Sequence, residues 1–306
     1  MPGPYAHLTL VSLASDSTRL ESGLGMPRHG MLALDRWNPF CELGSVSPDF
    51  PYLAVGVKTA KKWGDLMHAG KTGAFIRSAI EDVRAANGTR REKSFVWLLG
   101  YAAHMIADAT IHPVVQLKVG AYTRNKDAHR RCEAHQDAYI FERFETGGLG
   151  VGDYLESRLE QCSTADGSID PSVADLWQGL LSRLHPETYQ RNPPDLWRWN
   201  KGVTATVEAG NCGDRLFPFG RHVSSNSGLR YPSIEQVDHQ SFVSQLKTPH
   251  GMRSYDEVFE KTLTHVVEGW QLIGDAVFAN GKEYRTAFGE WNLDTGRDVS
   301  GQLVFW

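Results

Sequence analysis

The sequence predicts an all-α protein. Alternating strand patterns are scarce, whereas helical patterns cover residues 53–87 in pieces, 93–112, 127–145, 171–184 and 255–279. The chain shows no internal repeat and no low-complexity run. Its 306 residues suffice for a large core, and its 41% hydrophobic and 22% charged residues are typical of a globular protein.

The N-terminal half contains the strongest helix prediction. Residues 5–15 favour a short helix, and residues 16–51, rich in Gly, Pro and Ser, favour a long irregular connection. The helical pieces of 53–87 break near the sequence HAGKTG. Residues 93–112 form the clearest helix, and Pro113 is expected to end or kink it.

The remaining elements follow in order. Asp127 is a candidate N-cap for the helix over 127–145, and Gly147 and Gly148 would stop that helix. Further helices are expected at 153–162, 171–184 and 255–279, separated by an irregular stretch over about 186–250, and the final GQLVFW is either a docking tail or a buried strand. We expect residues 1–150 to form the core and residues 151–306 to be a helical part packed on it as one unit.

Composition limits the function classes. A net charge of −4 argues against a general nucleic-acid binder. Gly100, His104 and Asp108 interrupt the longest apolar run, so no transmembrane segment is expected. No cleaved signal peptide is evident, and the four cysteines form no CxxC pair, which together predict a chain made in the cytoplasm. Export by a specialised secretion route stays open.

Three ionisable residues lie on one stripe of the apolar helix. His104, Asp108 and His112 are spaced four residues apart and advance around the helix by only about 40° per step. Burying them without a common partner would be costly. His129 and Glu133 repeat the spacing on the next helix. Nitrogen and carboxylate donors of this kind suit zinc.

The order of these residues resembles the zinc-dependent phospholipase C family. The order is His7, Asp49, His68, His104-x-x-x-Asp108, His112 and His129-x-x-x-Glu133. The segments PYAHLTLV and GYAAHMIADATIHP also resemble small bacterial members. The family includes bacterial phosphatidylcholine-cleaving enzymes and the N-terminal domain of glycosylphosphatidylinositol-specific phospholipase D. The resemblance covers roughly residues 1–145.

The resemblance implies a multi-helix phospholipase C-like fold around a buried cluster of two or three zinc ions. It assigns Asp49, His68, His104 and Asp108 to the first zinc, and His112, His129 and Glu133 to the second. A third zinc would be held by His7, with Asp108 as a bridge. The chain lacks the N-terminal Trp that completes this third site in the best-known members.

The resemblance also implies an activity, the hydrolysis of glycerophospholipids to diacylglycerol and a phosphorylated head group. Asp49 is then the candidate general base, and the enzyme would contact a membrane surface transiently. Phe50, Tyr52 and Trp63 are candidates for a substrate pocket, with packing roles as the alternative. Two other functions stay open: a zinc-dependent single-strand nuclease of the same fold, and a non-catalytic, metal-stabilised interaction protein.

Overall fold

The fold is all-α, as the sequence predicts. The computed structural model describes residues 2–16, 25–54, 57, 59–144, 157–210 and 231–306. The N-terminal helices are α1 Pro4–Ala14, α2 Arg28–Val46, α3 Phe50–Leu53, α4 Ala60–Ala69, α5 Thr72–Ala85, α6 Gly88–Val119 and α7 Lys126–Arg143. The later helices are α8 Pro171–Leu184, α9 Pro186–Arg191, α10 Leu196–Gly210, α11 Tyr255–Phe278 and α12 Tyr284–Ala287.

Short irregular helices and two small hairpins complete the described elements. Ser47–Asp49 and Ile234–Gln236 are 3-10 turns, and Gln240–Ser244 is a π turn. Strands β1 Leu246–Thr248 and β2 Gly251–Arg253 pair antiparallel, as do β3 Trp291–Asn292 and β4 Arg297–Asp298. Strands of two or three residues leave the fold class unchanged.

Helix α6 is the centre of the molecule. Helices α2, α5, α8 and α11 all pack against it. Among the described helices it is the one long and apolar enough to cross a membrane, but its apolar window is entirely buried inside the protein. This burial fits a core helix, in line with the polar interruptions seen in the sequence.

Helix α2 corrects the prediction of an irregular connection over residues 16–51. The segment contains Pro39, which disfavours a helix, and Trp37 departs from helical geometry. The helix is therefore kinked at this place. Close packing on α6 compensates, because a Cβ on Gly44 would lie 2.1 Å from the Trp97 carbonyl oxygen. A Cβ on Gly100 would likewise lie 1.9 Å from the Cys41 carbonyl oxygen. Tertiary packing thus outweighs local propensity here.

Pro113 does not end the central helix, contrary to the prediction. Helix α6 continues through it to Val119. Proline removes the hydrogen bond to the carbonyl of the residue four positions earlier, which is Ala109. The C-terminal segment lies against this place: a Cβ on Gly296 would be 2.4 Å from the Ala109 carbonyl oxygen.

The other helix predictions are mostly confirmed. Helices α1, α4, α5, α6, α7, α8 and α11 lie where patterns predicted them, with the break between α4 and α5 near Gly70. Two helices, α9 and α10, correct the prediction of an irregular stretch from 186 to 250. Residues 157–161 of the helix predicted over 153–162 are helical, whereas 153–156 and the glycine stop after α7 lie outside the described residues. The N-cap of α7 is Asn125 rather than Asp127.

The C-terminal elements pack on the N-terminal ones along α6. The Trp270 indole on α11 donates to the Leu99 carbonyl at 2.8 Å, and the Trp306 indole donates to the Thr110 carbonyl at 2.7 Å. Thr72 at the start of α5 bonds both the N–H and the carbonyl of Trp291. The final residues are therefore half-buried against the helix that carries three predicted ligands.

Candidate metal centre

The structure brings together the eight predicted metal ligands. They come from α1, the 3-10 turn after α2, α4, α6 and α7. Each residue is 2% exposed or less. The eight are His7, Asp49, His68, His104, Asp108, His112, His129 and Glu133.

Four of them lie close together. The His68 and His104 Nε2 atoms are 3.2 Å apart. The Asp108 Oδ2 atom lies 3.7 Å from His68 Nε2 and 3.5 Å from His104 Nε2. The Asp49 Oδ1 atom lies 3.6 Å from His68 Nε2. Donor atoms at about 2.0–2.1 Å from a tetrahedral zinc are about 3.3 Å from one another. The observed separations are close to that spacing.

Backbone carbonyls fix the orientation of both histidine rings. The His104 Nδ1 atom donates to the Ser45 carbonyl at 2.8 Å, and the His68 Nδ1 atom donates to the Gly64 carbonyl at 2.7 Å. A carbonyl only accepts, so the proton of each neutral ring sits on Nδ1. Two Nε2 atoms then face each other, and either a shared proton or a metal cation between them would satisfy both. This arrangement is typical of metal-bound histidines.

A second group lies beside the first. The Glu133 Oε1 atom is 3.9 Å from His112 Nε2 and 3.7 Å from His129 Nδ1. The outward ring nitrogen of each histidine again meets a carbonyl: His112 Nδ1 bonds the Leu293 carbonyl, and His129 Nε2 bonds the Gly120 carbonyl at 2.6 Å. The inward nitrogen of His129 makes no hydrogen bond within the described residues. These three side chains fit the donor set expected for a second zinc.

His7 joins the cluster from α1. Its Nε2 atom lies 3.4 Å from Asp108 Oδ1, and its ring stacks on His104 at 4.2 Å between centroids. Neither ring nitrogen makes a hydrogen bond within the part of the chain that is described. His7 thus lacks the carbonyl contact that fixes the other rings, but with His104 and Asp108 it forms a group whose ligand atoms all lie within 4.8 Å of one another.

Electrostatics favour positive charge at the centre of the cluster. Asp108 is fully buried, and the ion pairs found for it among the described residues are all with histidines. Although burial raises the pKa of Asp108, the neighbouring His104 and His112 hold it well below its usual value. Burial lowers the pKa of His104, but Asp108 outweighs it, so the net shift is upward. Burial lowers the pKa of His7 and of His112 to about 4. A charged Asp108 beside neutral His7 and His112 is the ligand state that zinc needs.

The comparison with protein families agrees with this donor set. The family model described as zinc dependent phospholipase C matches residues 6–187. The chain belongs to this family. Comparison with curated proteins and with solved structures gives no match. The match extends beyond residues 1–145, which carried the resemblance. It also includes all eight predicted metal ligands.

The three residues predicted to contact substrate differ in their surroundings. Phe50 is fully buried and packs near Trp177, with ring centroids 6.1 Å apart. Trp63 is 1% exposed and donates to the Asn192 carbonyl. Both contacts are packing contacts in the core. The ring of Tyr52, by contrast, lies 5.8 Å from the ring of His68.

Sequence reasoning missed a ninth buried residue beside the cluster. Asp137 accepts hydrogen bonds from the backbone N–H of Ala6 at 2.5 Å, from that of Tyr5 at 3.3 Å and from the Tyr231 hydroxyl at 2.9 Å. It therefore caps the N-terminus of α1, which carries His7. The signal was present, because Asp137 continues the four-residue spacing of His129 and Glu133.

Proposed function

We propose that this family member is a zinc-dependent phospholipase C that cleaves glycerophospholipids to diacylglycerol and a phosphorylated head group. The observation that carries the proposal is the buried group of Asp49, His68 and His104, whose ligand atoms all lie within 4.8 Å of one another, with Asp108 Oδ2 at 3.7 Å and 3.5 Å from the two histidines. Zinc, when bound, would neutralise phosphoryl oxygens and make water more acidic. We assign the first ion to this group.

The other donors extend the centre. His112, His129 and Glu133 would hold the second ion, and His7 with Asp108 would hold the third. Both oxygens of Asp108 face histidines of different groups, Oδ1 toward His7 and Oδ2 toward His68 and His104. A bridging role for Asp108 follows from that arrangement.

Asp49 is our candidate for the general base. It lies at the end of a short turn, whereas the other seven ligands lie within helices. One of its oxygens faces His68, and a carboxylate has a second oxygen that can accept a proton from water. Asp49 would thus orient the attacking water and take its proton while it helps to hold the first ion.

Tyr52 is the aromatic residue that we assign to substrate contact. It follows Asp49 by three residues, and its hydroxyl donates to Asp65 at 3.0 Å, which fixes the ring near His68. Phe50 and Trp63 would support this region from the core. Because the substrate is a lipid, the enzyme would contact a membrane surface transiently, and a specialised export route would bring a chain made in the cytoplasm to such a surface.

A hydrolysis screen tests the proposal. Zinc-loaded protein is incubated with mixed micelles of several glycerophospholipids and, separately, with single-stranded nucleic acid, and the control contains a chelator. Diacylglycerol and phosphorylated head group should appear in equal amounts and disappear with chelation. Degradation of nucleic acid without lipid cleavage would favour the nuclease instead, and no turnover of either substrate would favour a non-catalytic metal protein.

A further inference from the structure

We infer that residues 290–306, here named the C-terminal strap, position the metal centre and are needed to retain zinc. The strap lies outside the 6–187 range matched by the family model. The inference rests on the proposed zinc centre, but it concerns the peptide groups and anchors of the strap rather than the ligands themselves.

One residue of the strap, Leu293, connects two predicted ligands through its backbone N–H and its carbonyl. The Leu293 N–H donates to the His68 carbonyl at 2.7 Å, and the Leu293 carbonyl accepts from His112 Nδ1. Leu293 is fully buried. His68 belongs to the first donor group and His112 to the second, so this single residue sets the distance between α4 and the ring that serves the neighbouring ion.

The strap is anchored beside Leu293 by α5. The Thr72 hydroxyl donates to the Trp291 carbonyl and accepts from the Trp291 N–H, both at 2.8 Å. The Glu290 carboxylate accepts from the backbone N–H groups of Gly73 and Ala74 at the start of α5, and from Arg77. These anchors use groups that are not metal ligands, so they can be changed without touching the donor set.

The strap also packs on the part of α6 where Pro113 removes a helical hydrogen bond. Pro113 deprives Ala109 of its usual helical partner, and Gly296 fits against this place because it has no Cβ. The Trp306 indole donates to the next carbonyl, that of Thr110, and the Val304 N–H donates to the Gly296 carbonyl. Asp108 and His112 flank Ala109 and Thr110 in the sequence. The strap thus holds α6 in shape where it carries two ligands.

The test compares Thr72→Val with two controls. Valine nearly preserves the shape of threonine but removes both bonds to Trp291, whereas Thr72→Ser keeps a hydroxyl and should restore them. The matched control is Thr262→Val on α11, where the buried hydroxyl bonds only the Val258 carbonyl within its own helix. Zinc per chain and zinc affinity are measured by competition with a chelator. Loss of supporting contacts around metal ligands typically costs about 10–100-fold in affinity.

We expect Thr72→Val to bind zinc about 10–100-fold more weakly than the wild type, and Thr72→Ser and Thr262→Val to bind it as the wild type does. Equal affinity in Thr72→Val and the wild type would overturn the role of the strap, as would equal losses in Thr72→Val and Thr262→Val. If Thr72→Val does not fold, Trp306→Phe, which keeps an aromatic ring but removes the N–H that bonds Thr110, decides by the same criterion. A wild-type protein that binds no zinc would instead reject the metal centre on which the inference rests.

Discussion

At the residue scale, Asp49 and His104 contribute to the same donor group but differ in the element on which they lie and in their other contacts. Asp49 lies on a short turn, while His104 lies in the middle of the buried central helix and bonds the Ser45 carbonyl. His104 also belongs both to the donor group with Asp49 and His68 and to the donor group with His7 and Asp108. Substitutions at the two positions should therefore separate chemistry from structure.

Asp49→Asn should keep most of the zinc and the fold but lose activity. Asparagine has nearly the same size and keeps one oxygen toward His68, yet it cannot take a proton from water. We expect kcat to fall about 10²–10⁴-fold, the usual contribution of a positioned general base. The measurements are zinc per chain and steady-state lipid hydrolysis. Near wild-type turnover with full zinc would show that Asp49 is not the base.

His104→Ala should lose zinc and stability together. It removes a donor from the first group, takes away one of the three histidines that face Asp108, and leaves the Ser45 carbonyl without its buried imidazole donor, which costs about 1–3 kcal/mol per unsatisfied group. Zinc analysis and denaturant unfolding measure both effects. His135→Ala is the control, because His135 lies outside the cluster and its Nδ1 accepts from the Asp238 N–H. Retention of zinc by His104→Ala would contradict the assignment.

The side chains of the site were predictable from the sequence, but their supports were not. Histidines and carboxylates spaced by four residues mark a common face, so five of the eight donors could be named from spacing, whereas His7, Asp49 and His68 followed from the family resemblance. The groups that orient them are backbone carbonyls of Ser45, Gly64, Gly120 and Leu293. Any residue can supply a carbonyl, so no pattern of residue types identifies them.

At the element scale, α1 is held against the cluster by one carboxylate. Asp137 on α7 accepts from the N–H groups of Tyr5 and Ala6, and Gly3 leaves room for it: a Cβ there would come within 2.0 Å of Asp137 Oδ2. The position of His7 in the next turn depends on this contact.

Asp137→Ala should destabilise the protein and displace His7. It leaves buried N–H groups at the start of α1 unsatisfied, at a cost of about 1–3 kcal/mol each. Tyr231→Phe, which removes only the hydroxyl donor, is the milder control. Denaturant unfolding and zinc per chain are compared: we expect the loss of zinc to be confined to the site near His7. Unchanged stability of Asp137→Ala would rule out the capping role.

Elements were predictable where local and tertiary preferences agree. Helices α8 and α11 have clear apolar periodicity and lie where the sequence predicted them. Helix α2 was missed because its Gly and Pro residues disfavour an isolated helix, whereas Gly44 and Gly100 allow close packing on α6 in the folded chain. Pro113 was misjudged for a similar reason, since neighbours on all sides bury this part of α6.

At the scale of the whole molecule, the C-terminal half contributes to the hydrophobic core around α6 and to the support of the candidate metal centre. Helix α11 packs on α6, and the strap supplies the Leu293 peptide. The prediction that residues 151–306 pack on the first half as one unit leads to a test: a chain ending at residue 150 should not fold cooperatively, because the apolar face of α6 would be exposed. Circular dichroism during thermal unfolding measures this. A sharp transition with bound zinc in that chain would contradict it.

The zinc content of the intact protein tests the central claim most directly. The protein is purified without chelators, and its transition metals are counted by elemental analysis against the protein concentration. Because Asp49, His68 and His104 form one buried donor group, His7, His104 and Asp108 form another, and His112, His129 and Glu133 lie beside them, we expect two or three zinc ions per chain. Less than one transition metal per chain would contradict the claim that these buried histidines and carboxylates form a zinc centre.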